Sequence, residues 1–168
     1  GAGAVGAYVG GYFARAGHDV VLIDGWPANV DAINRDGLTL SGMTDTECFT
    51  APARALHITD VQSLTRTGPI DIAFVTMKSF DTGWATLLIK EYLAPDGFVV
   101  SLQNCINEET IAGIVGWGRV VGCIAAKIAV ELTGPATVRR GVAKDSRTSA
   151  SSSLTMPMIR RRERRMSR

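Results

Sequence analysis

Histidine and cysteine are scarce in this chain, which contains two histidines and three cysteines among 168 residues. The cysteines, Cys48, Cys105 and Cys123, are odd in number and lack the two-residue spacing typical of zinc and redox sites. Three reduced thiols therefore fit better than a disulfide framework, which favours a cytoplasmic protein. Neither His18 nor His57 has partners at metal-ligand spacing, so we predict that the chain holds no metal.

Long hydrophobic runs are also missing. No stretch reaches the roughly 18 apolar residues that a membrane span requires, and no signal peptide is visible. The hydrophobic fraction of 46% and the charged fraction of 20% are typical of a globular protein. At 168 residues the chain is long enough for one domain with a substantial core. We expect one globular domain with no membrane partner.

The small net charge of +2 conceals an uneven distribution. Residues 145–168 contain seven arginines and two acids, whereas residues 1–144 are mildly acidic. The final stretch is rich in serine and arginine and poor in apolar residues, so we predict a disordered tail at 145–168. Arginine runs can bind nucleic acid or membranes. A solvated tail, or sequence translated in a changed reading frame, fits better here, and we assign the folded domain to 1–144.

The chain opens with Gly1-Ala2-Gly3-Ala4-Val5-Gly6, which has the spacing G-x-G-x-x-G. In a dinucleotide-binding loop the first glycine allows a tight turn and the second lets the backbone approach a pyrophosphate. The third allows the following helix to pack closely on the sheet. Free N–H groups at the helix start then hold the anion. An ordinary glycine-rich turn is the alternative.

The sequence after this loop favours the dinucleotide interpretation. Apolar residues recur at helical spacing and predict a helix whose stripe faces a sheet; they are Val5, Tyr8, Val9, Tyr12 and Phe13. Gly17 lies where that helix should end. Residues 19–24 then resemble a buried strand ending in Asp24, and this carboxylate is placed to accept hydrogen bonds from ribose hydroxyls.

The rest of the chain alternates predicted strands with predicted helices. We expect strands at 70–77 and 98–102, a turn at 94–97, a small β-excursion at 38–40 and 48–55, and an antiparallel pair formed by 119–132 and 136–140. We expect helices at 29–36, 60–66, 81–93 (with Trp84, Leu87, Leu88 and Tyr92 on one side) and 108–115 (with Asn107 as N-cap). This order predicts an α/β, Rossmann-like doubly wound, mostly parallel sheet. Because a first strand normally precedes the glycine loop, we expect the chain to lack that strand.

Four segments in this order resemble the N-terminal domain of the ketopantoate reductase (2-dehydropantoate 2-reductase) family. They are Gly1-Ala2-Gly3-Ala4-Val5-Gly6, Ala16-Gly17-His18-Asp19-Val20, Val75-Thr76-Met77-Lys78-Ser79-Phe80-Asp81-Thr82 and Ser101-Leu102-Gln103-Asn104.

The resemblance implies an NAD(P)-dependent oxidoreductase that transfers hydride to a small 2-keto acid, converting ketopantoate to pantoate for coenzyme A synthesis. It implies that Lys78 and Asn104 contact the cofactor near the substrate. Without the motif, a solvated lysine is as good an interpretation of Lys78 as a ligand contact, and a turn or cap residue is as good an interpretation of Asn104. The family's general-acid lysine belongs to a C-terminal helical domain that nothing here matches. We therefore assign no catalytic residue and expect this chain alone to be inactive.

Two departures from the family pattern carry predictions. Asp24 has no neighbouring arginine in the sequence, and its carboxylate would repel the 2′-phosphate of NADP, so we predict a preference for NAD. Cys105 follows Asn104 where the family commonly has glycine.

Two alternatives stay open, namely another two-domain dehydrogenase acting on 3-hydroxy acids and a nucleotide-binding module without catalysis.

Overall fold

A computed structural model describes residues 1–125 and 128–141 of the chain. The α-helices in this part are α1 (Ala4–Arg15), α2 (Pro27–Asp36), α3 (Thr82–Lys90) and α4 (Glu108–Val115). The strands are β1 (Val21–Asp24), β2 (Leu38–Ser41), β3 (Phe49–Ala51), β4 (Arg54–His57), β5 (Ile70–Val75), β6 (Leu93–Ser101), β7 (Val120–Gly122), β8 (Val130–Gly134) and β9 (Thr137–Arg140). The tail predicted at 145–168 lies outside the described residues.

The main sheet consists of two parallel ladders. One ladder pairs β1 with β4, and the other has the order β5-β6-β7. Among the described residues, β1 and β5 do not pair with each other. A cavity lined by both strands separates them, and we call the part of it between β1 and β5 the interstrand slot. At their carboxyl ends the chain itself bridges the slot, because Ala2 N–H donates to the Ile23 carbonyl at 3.1 Å and the Thr76 hydroxyl donates to the Gly1 carbonyl at 2.8 Å.

A second sheet has the order β3-β2-β9-β8 and packs on the other side of α1. Glycines make this close packing possible. A Cβ at Gly10 would lie 2.8 Å from Leu22 of β1, and one at Gly11 would lie 2.5 Å from Leu40 of β2. Helix α1 is therefore held between two sheets, and neither contact leaves room for a larger residue.

Two apolar cores flank the main sheet and confirm the doubly wound α/β fold. One core joins α1 and α2 to Leu22 and Ala55, and the other joins α3 and α4 to Ala73 and Val99. Neighbouring residues of β1 alternate between them, with Leu22 in the first core and Val21 and Ile23 packed against the second. Within the described residues, no helix has the length and apolar character needed to cross a bilayer.

The predicted helices α1 and α3 form, and glycine or small side chains occupy most of their fully buried positions. The buried residues of α1 are Gly6, Ala7, Gly10 and Gly11, and its large apolar residues are only half-buried. In α3 the buried residues are Thr82, Thr86 and Ile89, whereas Trp84 and Leu87 are exposed. The Thr86 hydroxyl donates to the Thr82 carbonyl at 2.7 Å, which satisfies it inside the helix and allows threonine to face the core.

Three strand predictions also need correction. The segment 48–55, predicted to belong to one small β-excursion, contributes to two different strands. β3 pairs with β2, whereas β4 pairs with β1 in the main sheet. The predicted turn at 94–97 lies within β6, next to a register irregularity between Ile70 and Ile72. Of the predicted strand at 119–132, β7 joins the main sheet and only β8 pairs with β9. Alternation of apolar residues indicates a strand but carries no information about its partner.

Candidate functional site

The sequence-predicted site residues other than Ala2 line one groove. A cavity of about 1440 Å³ extends along the interstrand slot to the carboxyl ends of β1 and β5. Its lining includes Gly1, Gly3, Ala4, Val5, Gly6, Asp24, Lys78 and Asn104. Ala2 is fully buried behind them. Ligands of open α/β sheets bind at this edge, so the fold brings together residues that are more than 100 positions apart in sequence.

The glycine loop leads directly into α1 and leaves its first N–H groups available. Gly3 is the N-cap residue, no side chain caps the helix, and the first turn contains no acid. The first helical hydrogen bond runs from Ala7 N–H to the Gly3 carbonyl at 2.8 Å. The N–H groups of Ala4, Val5 and Gly6 precede it, and such groups together with the helix dipole favour an anion.

Gly3 and Gly6 are required for different physical reasons. A Cβ on Gly3 would meet nothing within 4 Å, so this position faces open space in the groove. A Cβ on Gly6 would overlap the Gly1 carbonyl oxygen and lie 2.5 Å from the Thr76 hydroxyl oxygen. The absence of a side chain at Gly6 therefore allows α1 to pack against Gly1 and Thr76. The absence of one at Gly3 leaves room for a ligand to approach the backbone.

Asp24 is held in place at the end of β1 by two donors. Its Oδ1 accepts the Trp26 N–H at 2.9 Å, and its Oδ2 accepts an N–H of the Asn29 side chain at 3.2 Å. The residue opposite Asp24 on β4 is His57, and the residue after it is Gly25. Each carboxylate oxygen retains a lone pair, so the group can still accept hydrogen bonds from hydroxyls in the groove.

Asn29 is a structural centre of the site that sequence reasoning missed. Its fully buried side chain donates to the Ala2 carbonyl at 3.3 Å as well as to Asp24, and its Oδ1 accepts the Ala136 N–H at 2.8 Å. One amide thereby connects the glycine loop, the acidic residue and the β8–β9 hairpin. In sequence, Asn29 is the first residue of the helix predicted at 29–36, and that position does not indicate a buried side chain with three partners.

Side-chain hydrogen bonds connect the Lys78 loop to the Asn104 loop. The Gln103 amide donates to the Met77 carbonyl at 2.9 Å, and the Ser79 hydroxyl donates to the Asn104 carbonyl at 3.1 Å. The side chains of Lys78 and Asn104 themselves are exposed at the groove, without a hydrogen bond or ion pair to the described part of the chain. They are thus positioned by their backbones and free to contact a ligand.

Asn107 occupies the predicted N-cap position of α4 but does not cap it. Its side chain instead donates to the Asn104 carbonyl at 2.8 Å and to the Ser79 hydroxyl at 3.3 Å. The side chain of Glu108 accepts the Asn107 N–H at 3.0 Å. The predicted N-cap position is therefore confirmed, but its side chain joins the Lys78 and Asn104 loops instead of capping the helix.

Cys105 has φ of +71°, in the left-handed region that favours glycine. Replacing Cys105 by glycine should therefore raise the free energy of unfolding by about 1 kcal/mol, since relief of strain exceeds the added flexibility of the unfolded chain. Urea denaturation followed by circular dichroism would measure this. Cys48, exposed but without a positive φ, is the matched control, and Cys48→Gly should give no gain. Equal changes in both variants would contradict the strain argument.

In the described part of the chain, no three histidine, cysteine, aspartate or glutamate side chains are grouped to hold a metal ion. The three cysteines are free thiols.

Comparisons with known proteins identify the family to which this fold belongs. The family model described as "Ketopantoate reductase PanE/ApbA" matches residues 1–149. A 2-dehydropantoate 2-reductase of Pyrococcus horikoshii is 37% identical over 131 residues, which cover 77% of this chain and 39% of that relative. The matched chain thus spans well under half the length of this curated relative.

Solved structures give the same result. A PanE/ApbA family ketopantoate reductase from Ralstonia eutropha JMP134 superimposes with a TM-score of 0.70 at 34% identity, covering 84% of this chain and 44% of that one. D-mandelate dehydrogenase with NADH and anilino(oxo)acetate superimposes with a TM-score of 0.72 at 24% identity, covering 85% and 44%. The latter likeness shows the fold alone.

Proposed function

Because the chain belongs to the ketopantoate reductase family, we propose that it binds a nicotinamide dinucleotide and forms the cofactor half of a reductase acting on a small 2-keto acid, with ketopantoate as the first candidate. The observation that carries the proposal is the uncapped start of α1 beside open space at Gly3, in the same groove as the oriented carboxylate of Asp24.

The residues present fit such a cofactor. The N–H groups of Ala4, Val5 and Gly6 would hold the pyrophosphate, since no protein group caps them. Asp24 would accept hydrogen bonds from the ribose hydroxyls, with Asn29 and Trp26 fixing its orientation.

Lys78 and Asn104 belong near the reacting end of the cofactor in this proposal. The Lys78 ammonium can attract the carboxylate of a keto acid or a phosphate, and the Asn104 amide can orient a carbonyl or a ribose. When bound, the nicotinamide supplies the hydride. Reduction also needs a proton donor within hydrogen-bond reach of the developing alkoxide, and we assign that role to no described residue. We therefore propose that this chain alone binds cofactor without turnover.

The proposed cofactor preference is for NAD. The positions next to Asp24 are Gly25, Trp26 and, on β4, His57, and none carries a permanent positive charge for a 2′-phosphate. Calorimetric titration with NADH and NADPH tests the proposal, and we expect NADH to bind at least about tenfold more tightly. Asp24→Ala should lose most of this difference. Tighter binding of NADPH would refute the preference, and binding of neither would refute the function.

Gly3→Ala separates ligand approach from folding. The added methyl group meets no protein atom within 4 Å, and the backbone of Gly3 has φ of −66°, which alanine adopts without strain. Stability should therefore stay equal or rise by up to about 1 kcal/mol, whereas NADH affinity should fall by about tenfold or more. Gly113→Ala, also in open space but in α4, should leave the affinity unchanged. Unaltered NADH binding by Gly3→Ala would contradict the proposed pose.

A further inference from the structure

Asn107 is a buried polar residue to which the proposed function gives no role. It is 6% exposed and lies directly before α4. Its backbone, with φ of −113° and ψ of −5°, is in the helical region, whereas a residue that caps a helix is usually extended. The side chain makes no capping bond to α4 and is available for other partners.

The partners of the Asn107 side chain lie on the two loops that face the groove. Its Nδ2 donates to the Asn104 carbonyl at 2.8 Å and to the Ser79 hydroxyl at 3.3 Å. The Ser79 hydroxyl in turn donates to the same Asn104 carbonyl at 3.1 Å, so both lone pairs of that oxygen have donors. Because Ser79 adjoins Lys78, the backbones that carry both groove-facing side chains are connected through one carbonyl.

A separate connection holds the ends of the strands themselves. The Gln103 amide donates to the Met77 carbonyl at 2.9 Å and is hydrogen-bonded to the buried Thr82 hydroxyl at the start of α3. This connection does not involve Asn107. Without the Asn107 amide the ends of β5 and β6 would therefore keep their places, and the added freedom would be confined to the exposed residues 104–106.

We infer that Asn107 is a positioning residue for the cofactor. By holding the Asn104 carbonyl, it fixes the backbone from which the Asn104 side chain enters the groove, and it thereby raises the affinity for NADH. A loop that is ordered before binding does not lose its conformational freedom when the ligand binds, so this cost is absent from the binding free energy. The inference rests on the proposed function, because it requires a dinucleotide in contact with Asn104.

Replacing Asn107 by alanine should weaken NADH binding by about five- to tenfold, because residues 104–106 must then be ordered on binding. In the chain without ligand, the NMR order parameters of the backbone amides at 104–106 should fall from about 0.85 to below about 0.6, while those at 99–101 stay unchanged. Calorimetric titration and relaxation measurements on the same samples give both values.

Two further variants separate positioning from folding. Ile111→Val, at a fully buried position of the same helix, removes one methylene group from the core and should destabilise the chain, but it should change neither NADH affinity nor the order parameters. Ser79→Ala removes only one of the two donors to the Asn104 carbonyl. This exposed substitution should weaken NADH binding by about two- to threefold and serves as the milder variant if Asn107→Ala does not fold.

A double-mutant cycle decides whether Asn107 acts through Asn104. Asn104→Ala alone should weaken NADH binding, and adding Asn107→Ala to it should weaken binding by less than about twofold further, since no side chain is left to position. Equal losses from Asn107→Ala in both backgrounds, unchanged affinity in Asn104→Ala, or unchanged affinity in Asn107→Ala would overturn the inference while leaving the proposed function standing. Failure of the unsubstituted chain to bind NADH would instead refute the proposed function, and the inference with it.

Discussion

Replacing Asn29 by alanine should destabilise the protein by about 2 to 4 kcal/mol and weaken NADH binding by about tenfold. The substitution removes three hydrogen bonds and leaves the Ala2 carbonyl and the Ala136 N–H without a side-chain partner in a buried location. It also releases one oxygen of Asp24, so the carboxylate loses part of its fixed orientation. Urea denaturation and calorimetric titration of the same samples measure the two effects.

Asn34 provides a matched control on the same helix. Its side chain donates to the Ala55 carbonyl at 2.9 Å and accepts the Ala55 N–H at 2.8 Å, away from the glycine loop. Asn34→Ala should therefore lower stability by about 1 to 2 kcal/mol and leave NADH affinity unchanged. If both variants lose affinity in proportion to stability, Asn29 acts only through folding and its proposed role in positioning Asp24 is wrong.

The groove could be predicted from sequence because its parts are local. The glycine loop and Asp24 each lie at the end of a strand or the start of a helix, and so do Lys78 and Asn104. Parallel strands place all such ends at one edge of the sheet. Residues far apart in sequence then meet without any knowledge of side-chain contacts. Their roles toward a ligand stay predictions that the binding experiments address.

The connections that hold the groove together could not be predicted in this way. Asn29 contacts Ala136, which is 107 positions away, and Gln103 contacts Met77 across two loops. Neither contact leaves a periodic signal, because a buried amide in sequence resembles a turn or a cap residue. Such contacts depend on which elements become neighbours, and that is decided by the whole fold.

The small residues that form the buried faces of α1 and α3 could not be predicted, for a related reason. Apolar periodicity assumes that large residues face the core. Helix α1 lies between two sheets, so glycine and alanine occupy the positions where it comes closest to the strands. Its large side chains lie between these positions and are only half-buried. The short strands β4 and β7 also pair within the main sheet, although their sequences do not indicate which sheet they join. Sheet partners follow from three-dimensional packing, which local pattern does not encode.

Among the glycines of the described residues, Gly6 is the one at which an added methyl group should be most disruptive. The new Cβ would overlap the Gly1 carbonyl oxygen and press on the Thr76 hydroxyl. Because the overlapping atom belongs to the backbone, the clash can be relieved only if the Gly1 carbonyl moves away from Gly6, which disturbs its hydrogen bond with Thr76. We expect a loss of about 3 kcal/mol in the free energy of unfolding and no measurable NADH binding.

The control for this prediction is a glycine-to-alanine substitution at a position where the added methyl group contacts no protein atom. Gly113 lies inside α4 with open space around its Cβ position, so Gly113→Ala should raise stability by about 0.5 to 1 kcal/mol through higher helix propensity. The three alanine variants then form a set: Gly113→Ala keeps binding and gains stability, Gly3→Ala loses binding alone, and Gly6→Ala loses both. If Gly6→Ala retained full stability, Gly6 would not lie against the Gly1 carbonyl and the Thr76 hydroxyl as described. The geometry from which the anion site is inferred would then be wrong as well.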